Sequence, residues 1–294
     1  MRESIGLIGI GLVGTALAEN ILGCDFDVIG YDIVPSKRSN LERLGGKAAT
    51  SPQEVASRTN RIIFSLLDSE VVREVVEGPG GVMRAENLPQ YVIDTTTGDP
   101  EETEALAQKL LKQGVHYLDA TISGSSEQIR NREGVFMIGG PKEAFEACED
   151  IFRSLAKRYF FIGPSGSGSK AKLASNLILG LNRLVLAEGL VFAEKLGLDL
   201  KSFLSLLKTT PAYSCAMDVK GEKMIKGDFH PQSRIIQHDK DLEIILKYAE
   251  KGGQKLPLTQ VHKRILEDAI SLGDGDLDTS AVIQYIKSLK SEKD

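Results

Sequence analysis

The chain has 294 residues, of which 41% are hydrophobic and 26% are charged, and its formal net charge is −5. This length allows two domains, the composition is typical of a globular protein, and the acidic balance argues against a general nucleic-acid partner. The three cysteines lie far apart and the four histidines lack an i,i+4 pair, so we predict neither a disulfide framework nor a metal site. Neither a secretory signal nor an uninterrupted apolar span is recognised, and we expect a cytoplasmic protein without a membrane partner.

The N-terminal region carries a glycine motif, G-x-G-x-x-G, formed by Gly9, Gly11 and Gly14. An apolar run typical of a strand, Ile5–Ile10, leads into the motif, and a helical pattern, Leu12–Leu22, follows it. In this context the first glycine allows a tight turn, the second lets the backbone approach a pyrophosphate, and the third lets helix and strand pack closely. The helix N-terminus then presents N–H groups to the phosphates, and the motif predicts dinucleotide binding.

The next strand pattern, Phe26–Asp32, ends in a carboxylate that bears on the choice of dinucleotide. Asp32 can accept hydrogen bonds from both ribose hydroxyls, and its charge would repel a 2′-phosphate. We therefore expect NAD rather than NADP. NADP stays open as an alternative, because Lys37 and Arg38 follow closely and could meet a phosphate.

Short apolar runs alternate with helical patterns through residues 1–163, which predicts an α/β domain with a parallel sheet and helices on both faces. The remaining strands of this domain are predicted at Arg61–Leu66, Tyr91–Asp94, Tyr117–Asp119, Val135–Ile138 and Tyr159–Ile162, and its helices at Pro52–Ser57, Glu70–Val76, Pro100–Gln113 and Lys142–Leu155. A break rich in Gly, Ser and Pro follows. Residues 164–294 are predicted to form a long apolar helix and an all-helical domain, with helices at Lys170–Leu196, Lys201–Leu207, Asp239–Lys251, Leu258–Leu272 and Ser280–Ser288.

Two residues of the long helix, Lys172 and Asn176, lie four positions apart and so share one face. We place Lys172 in the first turn, where burial and the helix dipole would lower the pKa of its amine toward neutrality, as a general acid or base requires. The alternative is an ordinary solvated lysine.

Three further polar stretches are candidates for binding. The stretch Asp119–Ser126 follows a strand and is predicted to form a loop whose backbone N–H groups could bind an anion. Hydroxyls in Asp94–Thr97 and the charges of Lys240–Leu242 could contact a cofactor or substrate. Each stretch could equally be a plain loop, a helix cap or an exposed charge.

In their order and spacing these motifs resemble those of the β-hydroxyacid dehydrogenases, a family that includes 3-hydroxyisobutyrate dehydrogenase and tartronate semialdehyde reductase. The motifs that carry the resemblance are Gly9–Gly14, Asp94–Thr97, Ser123–Gly124, Gly166–Asn176 and Lys240–Leu242. The resemblance implies a Rossmann domain with a doubly wound parallel sheet, a long linking helix, an all-α C-terminal domain, and a homodimer or homotetramer. It also implies hydride transfer between NAD(P) and a small anionic β-hydroxy acid or semialdehyde.

The resemblance assigns roles by position. Lys172 is the general acid/base, Asn176 orients substrate and lysine, and Ser123 and Gly124 hold the substrate carboxylate, with Ser123 also near the reacting oxygen. Ser125 is assigned to substrate binding with them. The implied cofactor contacts beyond the glycines and Asp32 are Leu12, Val13, Leu66, Leu67, Thr97, Lys240 and Asp241. No metal is expected, because one positioned cation can stabilise the developing alkoxide.

The chain departs from the family pattern at several positions, among them one bulky, charged stretch. Ser125 stands where the family often has the second glycine of Ser-Gly-Gly, and the bulky, charged stretch Glu127–Arg132 replaces further small residues. We therefore hypothesise a more polar or more anionic substrate, with Arg130 or Arg132 binding a second anionic group. The alternative is that both arginines are solvated or contact another subunit.

The sequence also leaves two other functions open. A non-enzymatic relative that keeps the fold and the cofactor would be free to lose Lys172, Asn176 and Ser123, which this chain keeps. An imine reductase shares the architecture, but the resemblance leads us to expect a residue other than lysine at position 172.

Overall fold

The computed structural model describes residues 2–289. The chain forms two compact units that divide between Lys172 and Leu173. This division lies inside the long helix. The domain bounds predicted from the sequence, 1–163 and 164–294, stay a prediction, and positions 1 and 290–294 lie outside the described residues.

Within residues 2–289, eight strands form one sheet, and all belong to the first unit. They are β1 (Glu3–Ile8), β2 (Phe26–Tyr31), β3 (Lys47–Ala48), β4 (Arg61–Phe64), β5 (Tyr91–Asp94), β6 (His116–Ser123), β7 (Val135–Gly139) and β8 (Arg158–Gly163). The strand order is β3-β2-β1-β4-β5-β6-β7-β8. Neighbouring strands are parallel except β6 and β7, which pair antiparallel. The chain therefore reverses its direction across the sheet between β1 and β4, the place where ligands bind in sheets of this kind.

Helices cover both faces of this sheet. They are α1 (Leu12–Leu22), α2 (Pro35–Arg43), α3 (Pro52–Arg58), α4 (Ser69–Glu77), α5 (Pro100–Leu111), α6 (Ser126–Arg130), α7 (Lys142–Ala147) and α8 (Glu149–Leu155). Side chains of one strand alternate between two cores: Leu7 packs with Leu17 of α1 on one face, and Ile8 packs with Val55 of α3 on the other. The expected doubly wound α/β fold is confirmed.

Several details of the first unit differ from the sequence-based prediction. The sequence missed β3, α2 and α6, and the helix predicted over Lys142–Leu155 is two helices separated at Cys148, whose backbone (φ −110°, ψ 7°) leaves the helical region. Strand β6 continues to Ser123 instead of ending at Asp119, so the predicted loop is wrong over these residues. Polar side chains on alternate positions masked this strand, because Asp119 and Thr121 are buried and hydrogen-bonded rather than exposed.

The second unit is helical. Helix α9 (Ser167–Lys195) leads into it from the first unit, and α10 (Leu200–Leu207), α11 (Glu222–Lys226), α12 (Ile235–Lys251), α13 (Pro257–Ser271) and α14 (Val282–Ser288) follow. Leucines of α9, α10, α12 and α13 form its core. The sequence missed α11 and the π-helical turn Met217–Gly221 before it, and α12 begins at Ile235 rather than Asp239.

Helix α9 is long and apolar enough, by length and composition, to cross a membrane, although 44% of its most apolar window is buried inside the protein. Its buried residues Leu184, Ala187 and Leu190 belong to the core of the second unit. Arg183 lies among them and donates a hydrogen bond to Thr279 Oγ1 at 2.8 Å. The expectation that the chain has no membrane partner stays a prediction.

Candidate active site

The turn between β1 and α1 has the geometry that a dinucleotide requires. Gly9 has a φ of +93°, and a Cβ added there would lie 2.2 Å from Ser65 O. A Cβ at Gly14 would lie 2.0 Å from Gly9 O, whereas the space beside Gly11 is open. Gly11 also begins α1 without a side-chain cap, so the N–H groups of the first turn are left for a ligand. These residues fit the pyrophosphate of a dinucleotide.

Asp32 follows β2 and closes the same turn. Its Oδ2 accepts a hydrogen bond from Ile10 N at 2.7 Å, and its Oδ1 accepts one from Val34 N at 2.8 Å. Each carboxylate oxygen retains a further lone pair for a ribose hydroxyl. Arg38 donates to the Asp32 carbonyl at 2.5 Å and lies over the Tyr31 ring, 5.7 Å from its centroid, so a cation stays close to this carboxylate.

The loops that follow β4 and β5 are joined at the same edge of the sheet. Leu66 N donates to Thr96 Oγ1 at 3.2 Å, and Thr95 Oγ1 donates to Phe64 O at 2.7 Å. Because β1, β4, β5 and β6 are parallel, their carboxyl ends lie at this one edge. Of the cofactor contacts implied by the resemblance, the glycine turn with Leu12 and Val13, the pair Leu66 and Leu67, and Thr97 all follow these ends.

Below the loop after β5, Asp94 is a buried acid. Burial raises its pKa to about 6, although hydrogen bonds from Thr96 and Tyr117 lower it in part. Tyr117 donates its hydroxyl to Asp94 Oδ2, and Thr96 N donates to Oδ1 at 2.8 Å. Asp94 therefore supports the Thr95–Thr97 loop from inside the first unit.

The first unit brings Lys172 next to Ser123. The half-buried Lys172 donates from Nζ to the carbonyl oxygen of Ile122 at 2.6 Å, and Ile122 directly precedes Ser123, the last residue of β6. Gly124 follows with a φ of +148°, which favours glycine. The placement of Lys172 in the first turn is wrong, because α9 begins at Ser167 and Lys172 lies in the second turn. The helix dipole therefore acts on this amine more weakly than expected.

Ser125 begins α6 rather than extending a binding loop. Gln128 N donates to Ser125 Oγ at 3.2 Å, and Ser125 N donates to Gln128 Oε1 at 2.8 Å, so the two residues form a capping box. Contact between Ser125 and a substrate stays a prediction.

Both arginines of the departing stretch contact the protein. Arg130 Nε donates to Glu19 Oε2 on α1 at 2.5 Å, and the Arg132 guanidinium donates to the carbonyl of Arg153. Asn20 Nδ2 adds a hydrogen bond to Ile129 O at 2.7 Å, which holds α6 against α1. A substrate anion would have to compete with Glu19 for Arg130, and this role also stays a prediction.

In the second unit, Asn176 is buried and donates from Nδ2 to Asp241 Oδ2 at 2.8 Å. A carboxylate only accepts hydrogen bonds, so this contact sets which end of the Asn176 amide faces Asp241. His238 Nδ1 lies 4.0 Å from the same oxygen, and the His238 ring packs against His262 at 5.2 Å between centroids. Sequence reasoning assigned Asp241 and its neighbour Lys240 to the cofactor and missed the link from Asp241 to Asn176.

Comparisons with known proteins agree with this geometry. Residues 4–163 match the family model of the NAD binding domain of 6-phosphogluconate dehydrogenase. Residues 166–286 match the model described as NAD-binding of NADP-dependent 3-hydroxyisobutyrate dehydrogenase. The chain is 31% identical over 281 residues to 2-(hydroxymethyl)glutarate dehydrogenase of Eubacterium barkeri, covering 95% of this chain and 93% of that protein. It is also 31% identical over 291 residues to 2-hydroxy-3-oxopropionate reductase of Escherichia coli (strain K12), covering 98% and 99%.

The chain belongs to the β-hydroxyacid dehydrogenase family. It is accordingly an NAD(P)-dependent oxidoreductase that acts on the CH–OH group of hydroxy acids. The fold of this β-hydroxyacid dehydrogenase is that of 3-hydroxyisobutyrate dehydrogenase from Salmonella typhimurium, with a TM-score of 0.88 at 24% identity, over 96% of this chain and 99% of that chain. The family, the enzyme class and the NAD(P) cofactor predicted from the sequence are confirmed, and the comparisons support neither the non-enzymatic alternative nor the imine reductase.

Proposed function

We propose that this β-hydroxyacid dehydrogenase interconverts a small anionic β-hydroxy acid and its semialdehyde, with Lys172 as the general acid/base. The observation that carries the proposal is the contact between Lys172 Nζ and the Ile122 carbonyl, which holds the amine beside Ser123 at the carboxyl edge of the sheet. The glycine turn that fits the dinucleotide lies at the same edge.

Each side chain has one task in the proposed mechanism. A nicotinamide dinucleotide held by the glycine turn and Asp32 would supply the hydride acceptor for oxidation and the hydride donor for reduction. Lys172 takes the hydroxyl proton in oxidation and returns it to the developing alkoxide in reduction. One N–H of the Lys172 amine is bound to Ile122 O, and the other positions on that nitrogen therefore point away from this carbonyl. Ser123 and Gly124 hold the substrate carboxylate. Asn176 is held by Asp241 within the second unit, and its part in orienting the substrate stays a prediction.

A panel of mono- and dianionic β-hydroxy acids, assayed with NAD and with NADP, tests the reaction. We expect reduced cofactor to form with at least one substrate, and kcat/KM to be about tenfold or more higher with NAD, because the Asp32 carboxylate repels a 2′-phosphate. Turnover that favours NADP would contradict the assignment of Asp32, and the absence of turnover across the panel would contradict the proposed reaction.

The same panel tests the second anionic group. If Arg130 binds it, Arg130→Ala lowers kcat/KM only for dianionic substrates. Arg132→Ala tests the other candidate in the same way, because Arg132 donates to the Arg153 carbonyl as Arg130 does to Glu19. Equal effects of a substitution on both substrate classes would show that the substituted arginine does not bind the second anionic group.

The surface of α9 supports a homodimer or homotetramer. Ile178, Val185 and Phe192, spaced by seven, are 60%, 68% and 64% exposed and lie on one face of the helix. An exposed apolar stripe of this length is typical of a subunit interface, and it also explains why α9 resembles a membrane helix by composition. The net charge of −5 supports the absence of a nucleic-acid partner.

We expect Phe192→Glu to convert the oligomer to smaller species, because a buried unpaired carboxylate would oppose association. Size-exclusion chromatography with light scattering measures the mass of each species. Leu258→Glu, which places the same charge at another exposed apolar position (67% exposed), is the control and keeps the wild-type mass. A wild-type protein that is already monomeric at micromolar concentration would refute the stripe as an interface.

A further inference from the structure

The start of α9 is held against β6 by two polar side chains to which the proposed mechanism gives no role. Asp119 is buried, and its Oδ1 accepts a hydrogen bond from Gly166 N at 2.9 Å while its Oδ2 accepts one from Ser169 N at 2.9 Å. Thr121, two residues later on the same face of β6, donates its hydroxyl to Gly168 O at 2.9 Å. Side chains of one strand therefore bind two backbone N–H groups and one carbonyl at and just before the start of α9.

The backbones of α9, β6 and β7 approach one another so closely here that side chains at Gly168 and Gly139 are excluded. A Cβ at Gly168 would lie 2.5 Å from both Asp119 O and Met137 O, and a Cβ at Gly139 would lie 2.6 Å from Asp119 Oδ1. Gly166 has a φ of +86°, in the left-handed region that favours glycine. Contacts this close leave α9 little freedom to slide or rotate against β6.

Lys172 follows one turn later and reaches back to the same strand, where its Nζ meets Ile122 O at 2.6 Å. A slip of α9 by one residue would rotate its side chains by about 100° and shift them by about 1.5 Å, which would break this contact. We propose that Asp119 is a positioning residue for Lys172: by holding the start of α9, its carboxylate sets the point at which the amine meets the Ile122 carbonyl. The inference rests on the proposed role of Lys172 as general acid/base.

The chemistry of the contact explains why the residue is an acid. Burial raises the pKa of Asp119, and the backbone N–H groups of Ser169 and Gly166 offset part of that increase. A carboxylate has two acceptor oxygens, one for each N–H group, whereas an asparagine of the same shape has only one. Asp119→Asn would leave one buried N–H facing an amide donor.

We expect Asp119→Asn to lower kcat about 10- to 100-fold, because a displacement of a reacting group by about 1 Å can lower the rate by up to about 100-fold. The KM of the substrate and the NADH dissociation constant, measured by fluorescence, should stay within about twofold. Asp199→Asn is the matched control. Asp199 caps α10 through Ser202 N at 2.9 Å, and α10 carries no proposed site residue, so its kcat should equal that of the wild type.

A double-mutant cycle separates positioning from simple support of the fold. If Asp119 acts through Lys172, Asp119→Asn has no further effect on the residual rate of Lys172→Ala, per folded molecule. A multiplicative loss in the double variant, or a lowered melting temperature with unchanged kcat, would overturn the inference and leave the proposed function intact. Wild-type activity in Lys172→Ala alone would overturn the proposed function and, with it, the inference.

A second pair of variants keeps the test open if Asp119→Asn does not fold. Thr121→Val removes the hydroxyl that donates to Gly168 O at 2.9 Å and also reaches Met137 O at 3.5 Å, and Thr121→Ser retains a hydroxyl at the same place. We expect Val to lower kcat severalfold and Ser to restore it, both with unchanged NADH affinity. Equal kcat values for the two variants would count against positioning from β6.

Discussion

We expect Lys172→Ala to lower kcat by about 100- to 10,000-fold, because the proton of the alcohol loses its acceptor in the transition state. The NADH dissociation constant stays near the wild-type value, since the glycine turn and Asp32 lie elsewhere in the first unit. Steady-state kinetics and fluorescence titration measure the two quantities separately.

Lys170→Ala is the matched control for this change. Lys170 lies two residues earlier on the same helix, is exposed, and pairs through Nζ with Glu104 Oε1 at 2.6 Å. Its loss should leave kcat unchanged, because an exposed ion pair of this kind contributes little. Comparable losses in the two variants would mean that α9, and not the Lys172 amine, had been disturbed.

Small primary amines provide a further check on the role of Lys172. Added methylamine or ethylamine should restore part of the activity of Lys172→Ala, because either can occupy the space of the missing side chain and accept the proton. Rescue should be absent in Lys172→Met, whose side chain fills that space. Identical behaviour of the two variants toward amines would contradict proton transfer by this residue.

The largest loss of stability is expected from Asp278→Ala in the second unit. Asp278 is fully buried and accepts hydrogen bonds from Lys220 Nζ on both oxygens at 2.8 Å, from Gln232 N at 2.9 Å and from Ser280 Oγ at 2.7 Å. Removing one partner of a buried ion pair leaves the other charge uncompensated and typically costs about 3–5 kcal/mol. The midpoint of urea unfolding, followed by circular dichroism, measures this loss.

Two variants control for Asp278→Ala. Adding Lys220→Met to it should recover part of the stability, because the orphaned ammonium is then removed as well. Glu222→Ala breaks the exposed pair that Glu222 forms with Lys226 at 2.7 Å and should leave the midpoint unchanged. A double variant less stable than Asp278→Ala would show that Lys220 contributes through packing rather than through its charge.

The ion pair also predicts how stability depends on pH. Burial alone would raise the pKa of Asp278, but hydrogen bonds from Lys220, Ser280 and Gln232 N outweigh it and lower the pKa to about 2. A carboxyl whose folded pKa lies below its unfolded value of about 3.8 stabilises the fold above that value. This contribution is lost as the pH falls from about 3.8 toward 2, and the loss should be absent in Asp278→Ala.

The sequence by itself determined the features that depend on neighbouring residues. Gly9, Gly11 and Gly14 identified the dinucleotide turn, because the positive φ of Gly9 and the start of α1 after Gly11 are local properties. The spacing of Lys172 and Asn176 placed both on one helix, and α9 has that form. The resemblance of these motifs to one family then predicted the reaction.

Only the tertiary structure decided what lies next to Lys172 and Asn176. The amine meets Ile122 O, fifty positions earlier, and the Asn176 amide meets Asp241, sixty-five positions later. Asp119, expected in a binding loop, instead holds the start of α9. Hydrophobic periodicity reports which face of an element is buried, but it carries no information on which distant polar group completes a hydrogen bond there.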